Sequence, residues 1–144
     1  MMIIKEYNYM HQDIIDIRTE VFVVEQNFKE EFDDVDNNCM FLVMYDDEKP
    51  IAMCRYFPVT EDRYDNTYAI GRIAVIKEYR GKGIGSKIVA EGEAQVIEKG
   101  AKYAILSAQL QAEGFYKKLG YIPEGDTYYE EWCEHIKMRK KLCD

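Results

Sequence analysis

The stretch Tyr79-Arg80-Gly81-Lys82-Gly83-Ile84-Gly85-Ser86 joins two segments of different periodicity. Before it, residues 68–76 are rich in Ile, Val and Tyr, the composition of a strand. After it, Ile84, Ile88, Val89, Val96 and Ile97 recur at helical spacing as far as Lys99, and Gly100 suits a helix C-terminus. Glycines let a backbone approach a ligand closely. The first turn of a helix adds N–H groups without helical partners and the positive end of the dipole. Arg80, Lys82 and Lys87 bring positive charge to the same place. A strand ending in such a turn is an anion site suited to phosphates; the plainer alternative is a glycine turn that binds nothing.

The spacing narrows the kind of phosphate site. A P-loop requires Gly before its Lys and Ser or Thr after it, whereas Lys87 follows Ser86. A dinucleotide fingerprint requires Gly-x-Gly-x-x-Gly, and its third position falls on Ser86 or Ile88. The pattern that fits is Arg-x-x-Gly-x-Gly, at Arg80, Gly83 and Gly85.

Outward from this loop, residues 3–7 form a short first strand. Met10, Ile14, Ile17, Val21 and Val24 then make one apolar helical stripe, with Asn8 as its cap. The acid-rich stretch 28–38 loses its period and reads as a loop or a broken helix. Residues 40–45 and 51–59 form strands on either side of the charged turn 46–50, a hairpin. Residues 62–66 turn into the strand at 68–76. Beyond the central helix come a strand at 103–106, a short helix at 112–119 closed by Gly120, and a last strand including residues 135–138. This order predicts one α/β domain over 1–144 around a mixed sheet.

Its 144 residues suffice for one domain with a proper core. The net charge of −8 argues against nonspecific nucleic-acid binding, which rests on neutralising phosphates with Lys and Arg. That charge is uneven: residues 1–50 hold 13 acids and 4 bases, and the remainder is close to balance. Cys39, Cys54, Cys133 and Cys143 include no Cys-x-x-Cys pair, and the chain has only two histidines. A structural zinc site is not expected, and reduced, mostly buried cysteines are. The opening Met1-Met2-Ile3-Ile4 is interrupted at once by Lys5-Glu6. It is too short for a signal peptide or a membrane helix, so a cytoplasmic protein without a membrane segment is expected.

The chain resembles the GNAT superfamily of acyl-CoA-dependent N-acyltransferases. The resemblance is carried by Ile70-Gly71-Arg72-Ile73-Ala74-Val75, by the loop 80–85, and by Gly114-Phe115-Tyr116-Lys117-Lys118-Leu119-Gly120-Tyr121, in this order. Arg18-Thr19-Glu20-Val21-Phe22-Val23-Val24-Glu25-Gln26, Ala108-Gln109 and His135-Ile136-Lys137-Met138 look further like its ElaA-like branch, from which Ser107 and Gln111 depart.

The resemblance implies a mostly antiparallel central sheet, flanked by helices and splayed where acetyl-CoA binds. It assigns main-chain bonds with the pantetheine arm to Ile73, Ala74 and Val75. The pyrophosphate falls to the N–H groups of Gly81, Lys82, Gly83, Ile84, Gly85 and Ser86, with Arg80 and Lys82 beside its charge. A backbone N–H near Val75 would polarise the acetyl carbonyl. Tyr116 stands where many members place the acid that protonates the departing thiolate, and Phe115 beside it reads as the core residue of the pair. Glu25, Glu131 and His135 are candidates for the base that deprotonates the acceptor. The implied activity is acetyl transfer to a primary amine of a small cationic acceptor, favoured by the acidic first third. A non-catalytic acyl-CoA-binding module and an α/β domain that binds no CoA are the alternatives. No metal is implied, and an exposed terminal strand edge would allow a homodimer.

Overall fold

The computed structural model describes residues 1–143. β-branched and aromatic runs form β1 (Met2–Tyr7), β2 (Met40–Asp46), β3 (Lys49–Val59), β4 (Thr67–Val75), β5 (Tyr103–Gln109), β6 (Ile122–Pro123), β7 (Tyr128–Glu130) and β8 (Cys133–Lys141). They make one sheet in the order β1-β2-β3-β4-β5-β8-β6, with β7 paired to β8. All neighbours are antiparallel except β4 and β5. A parallel pair needs a crossover, and α2 (Ile84–Glu98) supplies it.

β4 and β5 stay together only where Thr67, Tyr68 and Ala69 meet Tyr103, Ala104 and Ile105. Beyond these the strands separate, so the side of β4 away from β3 is unpaired from Ile70 onward. This is the splayed, mostly antiparallel sheet that the resemblance implies. On its other side β4 carries a bulge opposite Cys54, where Arg72 adopts a left-handed φ of 47°. The bulge raises the local twist of β4 just before the glycine loop.

The core lies on both faces of β2 and β3. Alternation sends Cys54 toward α2, whose Gly92 sits close enough that an added Cβ would touch Cys54 Sγ at 3.4 Å. It sends Arg55 to the opposite face, where α1 (Gln12–Arg18) packs. There Arg18, 0% exposed, donates to Glu31 Oε2 at 2.8 Å and to Asp36 Oδ1 at 2.6 Å. Arg55 reaches Asp33 and the same Asp36 oxygen at 2.7 and 2.8 Å. The aperiodic stretch 28–38 is therefore a loop with one 3₁₀ turn (Asp34–Asn37), tied down by buried arginines.

Three local expectations change. The first helix is capped by His11, whose Nδ1 accepts from the Asp13 N–H, and not by Asn8. It passes after Arg18 into a π-helical segment, Thr19–Glu25. The wider winding shifts the phase of the stripe and leaves Val24 74% exposed. Pro50 stands inside β3, where the β2–β3 register shifts around it. Two strands, β6 and β7, are too short to leave a periodic signal, and β5 and β8 run longer than their apolar cores suggest.

Candidate active site

The separation of β4 from β5 opens a cavity of about 1210 Å³. Its donor side is built from the end of β4 and the start of α2. Gly81 and Gly83 both have φ of 77°, a region that costs an L-residue about 1–2 kcal/mol. Gly83 caps α2 in this conformation, and the first bond into the helix runs from Lys87 N–H to the Gly83 carbonyl at 3.2 Å. The N–H groups of Ile84, Gly85 and Ser86 therefore precede the helical ladder and meet no helical carbonyl. At Gly85 an added Cβ would lie 3.2 Å from the tip of the Phe115 ring, so the absence of a side chain keeps the floor open.

Ile73, Ala74, Val75, Arg80, Gly81, Gly83, Ile84, Gly85 and Ser86 all line this cavity, as do Tyr116, Glu131 and His135. Lys82 and Glu25 are not on its wall. The Lys82 ammonium lies over the Tyr79 ring, 5.3 Å from its centroid. Arg80 is already engaged: its Nε donates to the Val75 carbonyl at 2.9 Å, and its two terminal nitrogens clamp the Glu25 carboxylate at 2.6 and 2.7 Å. Those hydrogen bonds hold the Glu25 carboxyl below its ordinary range.

The pair Phe115 and Tyr116 is reversed from the sequence reading. Phe115 is 37% exposed, whereas Tyr116 is 8% exposed and belongs to the core cluster. The short helix α3 (Glu113–Lys118) turns Phe115 outward over Gly85 and Tyr116 inward. Burial, then the proximity of Cys54, raises the Tyr116 phenol well above its ordinary value, so it carries its proton at neutral pH. Its ring packs edge-on against Phe115 and Tyr121, and among the described residues no group hydrogen-bonds its Oη.

The far wall comes from β7, β8 and the stretch after the π segment. Glu131, at φ 53° in the β7–β8 turn, accepts from the N–H groups of Lys29 and Glu30 at 2.9 and 3.0 Å. These bonds lower its carboxyl and strap residues 28–30 to the sheet. Phe28 stacks on Trp132 and meets His135 edge-on. Gln26 accepts from Gln109 at 2.7 Å, and Gln109 accepts from Gln111, so a chain of amides crosses from β5 to the π segment. Tyr128, Glu130, Phe28 and Glu30 are among the wall residues that the sequence reading missed. Only the Tyr-Tyr-Glu composition of the very short β7 signalled the first two, and it resembles many surface loops.

Among the described residues no group of three or more His, Cys, Asp or Glu side chains is arranged to hold a metal ion. Among the described residues no helix is long and apolar enough to cross a membrane. The four cysteines are free, with Cys39, Cys54 and Cys133 buried and Cys143 exposed.

A mostly antiparallel sheet splayed between β4 and β5, with a glycine-capped helix starting at the opening, is the architecture of a GNAT-type acyltransferase. The model of the acetyltransferase (GNAT) family matches residues 7–121, and the chain belongs to that family, which uses acetyl-CoA. It is 36% identical over 132 residues to a Bacillus subtilis protein named as an uncharacterized N-acetyltransferase, YjcF, covering 90% of this chain and 91% of that one. ElaA of Escherichia coli is 26% identical over 133 residues, covering 90% of this chain and 86% of that one. The crystal structure of ElaA superposes with a TM-score of 0.83, covering 98% of this chain and all of the other. A crystal structure of an acyl-CoA N-acyltransferase from Pseudomonas aeruginosa superposes at 0.81 with 25% identity over 97% of this chain and 98% of that one.

Proposed function

We propose that the protein moves an acetyl group from acetyl-CoA to a primary amine of a small cationic acceptor, by direct attack of the amine on the thioester. One observation carries this reading: the open edge of β4, the glycine turn, Tyr116, Glu30 and Glu130 all line a single cavity. The free edge of Ile73, Ala74 and Val75 suits an extended pantetheine arm, which can bond to a strand as another strand would. The glycine turn and the start of α2 suit the pyrophosphate. Main-chain N–H groups at the end of β4 stabilise charge developing on the acetyl oxygen.

Tyr116 supplies the proton that the departing CoA sulfur needs. Its phenol, raised by burial, is neutral at physiological pH and has a hydrogen to give. Glu30 and Glu130 give the acceptor side a negative lining that favours an ammonium.

A thermal-shift titration with acetyl-CoA, followed by CoA-thiol release with spermidine, kanamycin and a lysine-containing peptide, tests the reading. A ligand specific to the folded state raises the midpoint. One of the amines is expected to release thiol above the blank. Tyr116→Phe is expected to lower kcat by roughly 10²-fold while retaining the acetyl-CoA shift. Absence of thiol release with every amine, together with an unaltered Tyr116→Phe variant, would count against it.

A further inference from the structure

The catalytic base is a choice among Glu25, Glu131 and His135, and their surroundings separate them. Glu25 is clamped by Arg80 and lies off the cavity wall. Glu131 spends both carboxylate oxygens on the N–H groups of Lys29 and Glu30. A carboxylate held by two donors, with its affinity for a proton lowered by them, is a poor proton acceptor.

His135 is placed differently. It is 5% exposed, stands on β8 opposite Gln109 of β5, and lies on the cavity wall. Its Nδ1 is 3.0 Å from the Cys133 carbonyl oxygen. A carbonyl can only accept, so Nδ1 carries the hydrogen, and the neutral ring keeps its lone pair on Nε2. Nε2 is 3.7 Å from Glu130 Oε2, too far for a direct hydrogen bond. That gap is wide enough for one nitrogen to donate to both atoms. Tyr128 stacks on the imidazole at 22°, and Phe28 closes another side, so the ring is fixed in orientation.

The charged and titratable neighbours come from each packed element. β7 brings Tyr128 and Glu130, and β8 itself brings Cys133 and Lys137. The segment after Phe28 brings Glu30, whereas β5 presents only the uncharged Ser107 and Gln109. The Lys137 ammonium is answered by Asp62 and Glu124, at 3.3 and 3.1 Å.

We infer that His135 Nε2 is the base that deprotonates the acceptor, with Glu130 seating the same ammonium. This rests on the acetyl-transfer reading above. One N–H bond of the ammonium breaks, its electron pair stays on nitrogen, and the proton passes to Nε2. The freed lone pair forms the bond to the acetyl carbon, and the C–S bond breaks with its electrons on sulfur. Tyr116 gives its proton to that sulfur and regains one from the nitrogen, which becomes the neutral amide. His135 then releases its proton to solvent past the half-exposed Glu130.

Two measurements test this. The chain has only two histidines, so long-range ¹H–¹⁵N imidazole spectra of wild type and a His11→Asn variant separate them. His135 is expected as the Nδ1–H tautomer; an Nε2–H tautomer overturns the inference, whether or not an acceptor has been found. With whichever of spermidine, kanamycin or lysine peptide the wild type acetylates, His135→Gln is expected to lower kcat by roughly 10²-fold. The acidic limb of the rate profile should vanish, added imidazole should restore part of the rate, and the acetyl-CoA thermal shift should stay intact. A variant that keeps both its acidic limb and its rate overturns the role of His135. A wild type that acetylates none of the amines overturns the transfer reading, and with it His135 as its base.

Discussion

Arg80 shows how a single residue can serve two sites. The GNAT resemblance implies a place for it beside a pyrophosphate, and the structure shows its guanidinium shared between the Val75 carbonyl and the Glu25 carboxylate. Under the proposed transfer, a donor phosphate at the glycine turn would compete with Glu25 for this guanidinium, because both are anions suited to bidentate binding. Glu25→Gln is thus expected to tighten acetyl-CoA binding several-fold by calorimetry; weaker binding would mean that Glu25 holds Arg80 in its binding pose. Tyr116 was legible as a position in the Gly-Phe-Tyr motif, but not as the buried member of its pair. Neighbouring residues on a one-and-a-half-turn helix differ in burial only through what packs over them, and here Gly85 leaves the room that Phe115 covers.

At the scale of elements, the path from α1 through the π segment to the 3₁₀ turn is organised by buried charge. Arg18 meets Glu31 and Asp36, and Arg55 and Arg72 meet Asp33 and Glu31, all beneath the stretch that carries Phe28 and Glu30 to the cavity. Removing one partner of a buried pair leaves the other charged and dry, which costs about 3–5 kcal/mol. Arg18→Met is expected to lose that much in urea unfolding, and a loss under about 1 kcal/mol would show that water replaces the guanidinium. The periodicity of Met10 to Val21 revealed the helix itself. It could not reveal the π winding, because that register depends on where Arg18 and Phe22 are anchored in the fold.

The whole molecule recasts the charge asymmetry. Glu25, Glu31, Asp33 and Asp36 of the first third are answered internally by Arg18, Arg55, Arg72 and Arg80, while Glu30 lines the cavity with Glu130. A second network joins the loop before β4 to β8, where Arg139 binds Asp62 at 2.7 Å and Glu124 at 3.0 Å. Hydrogen bonds from Arg139 are the main cause that lowers both carboxyls, Glu124 from 4.5 to about 2 and Asp62 well below its ordinary value. Both titrate lower folded than unfolded, so their stabilisation is complete above about pH 4.5 and is lost as pH falls toward about 2. An Arg139→Met variant is expected to melt below wild type at neutral pH, with the difference shrinking through this window. A constant difference down to pH 2 would refute the linkage.

The sequence by itself determined the α/β order, the Arg-x-x-Gly-x-Gly turn at the head of α2 and the family of the chain. These are local properties: a period of hydrophobicity, or a glycine at a backbone angle that other residues resist. The tertiary structure alone decided which acids remain free, which member of Phe115 and Tyr116 faces inward, and that His135 lies on the cavity wall opposite Gln109 of β5. Each of those depends on contacts between residues distant in the chain, as when Glu131 straps Lys29 from 102 positions away. Burial and pairing are properties of such contacts, and no stretch of sequence contains both halves of them.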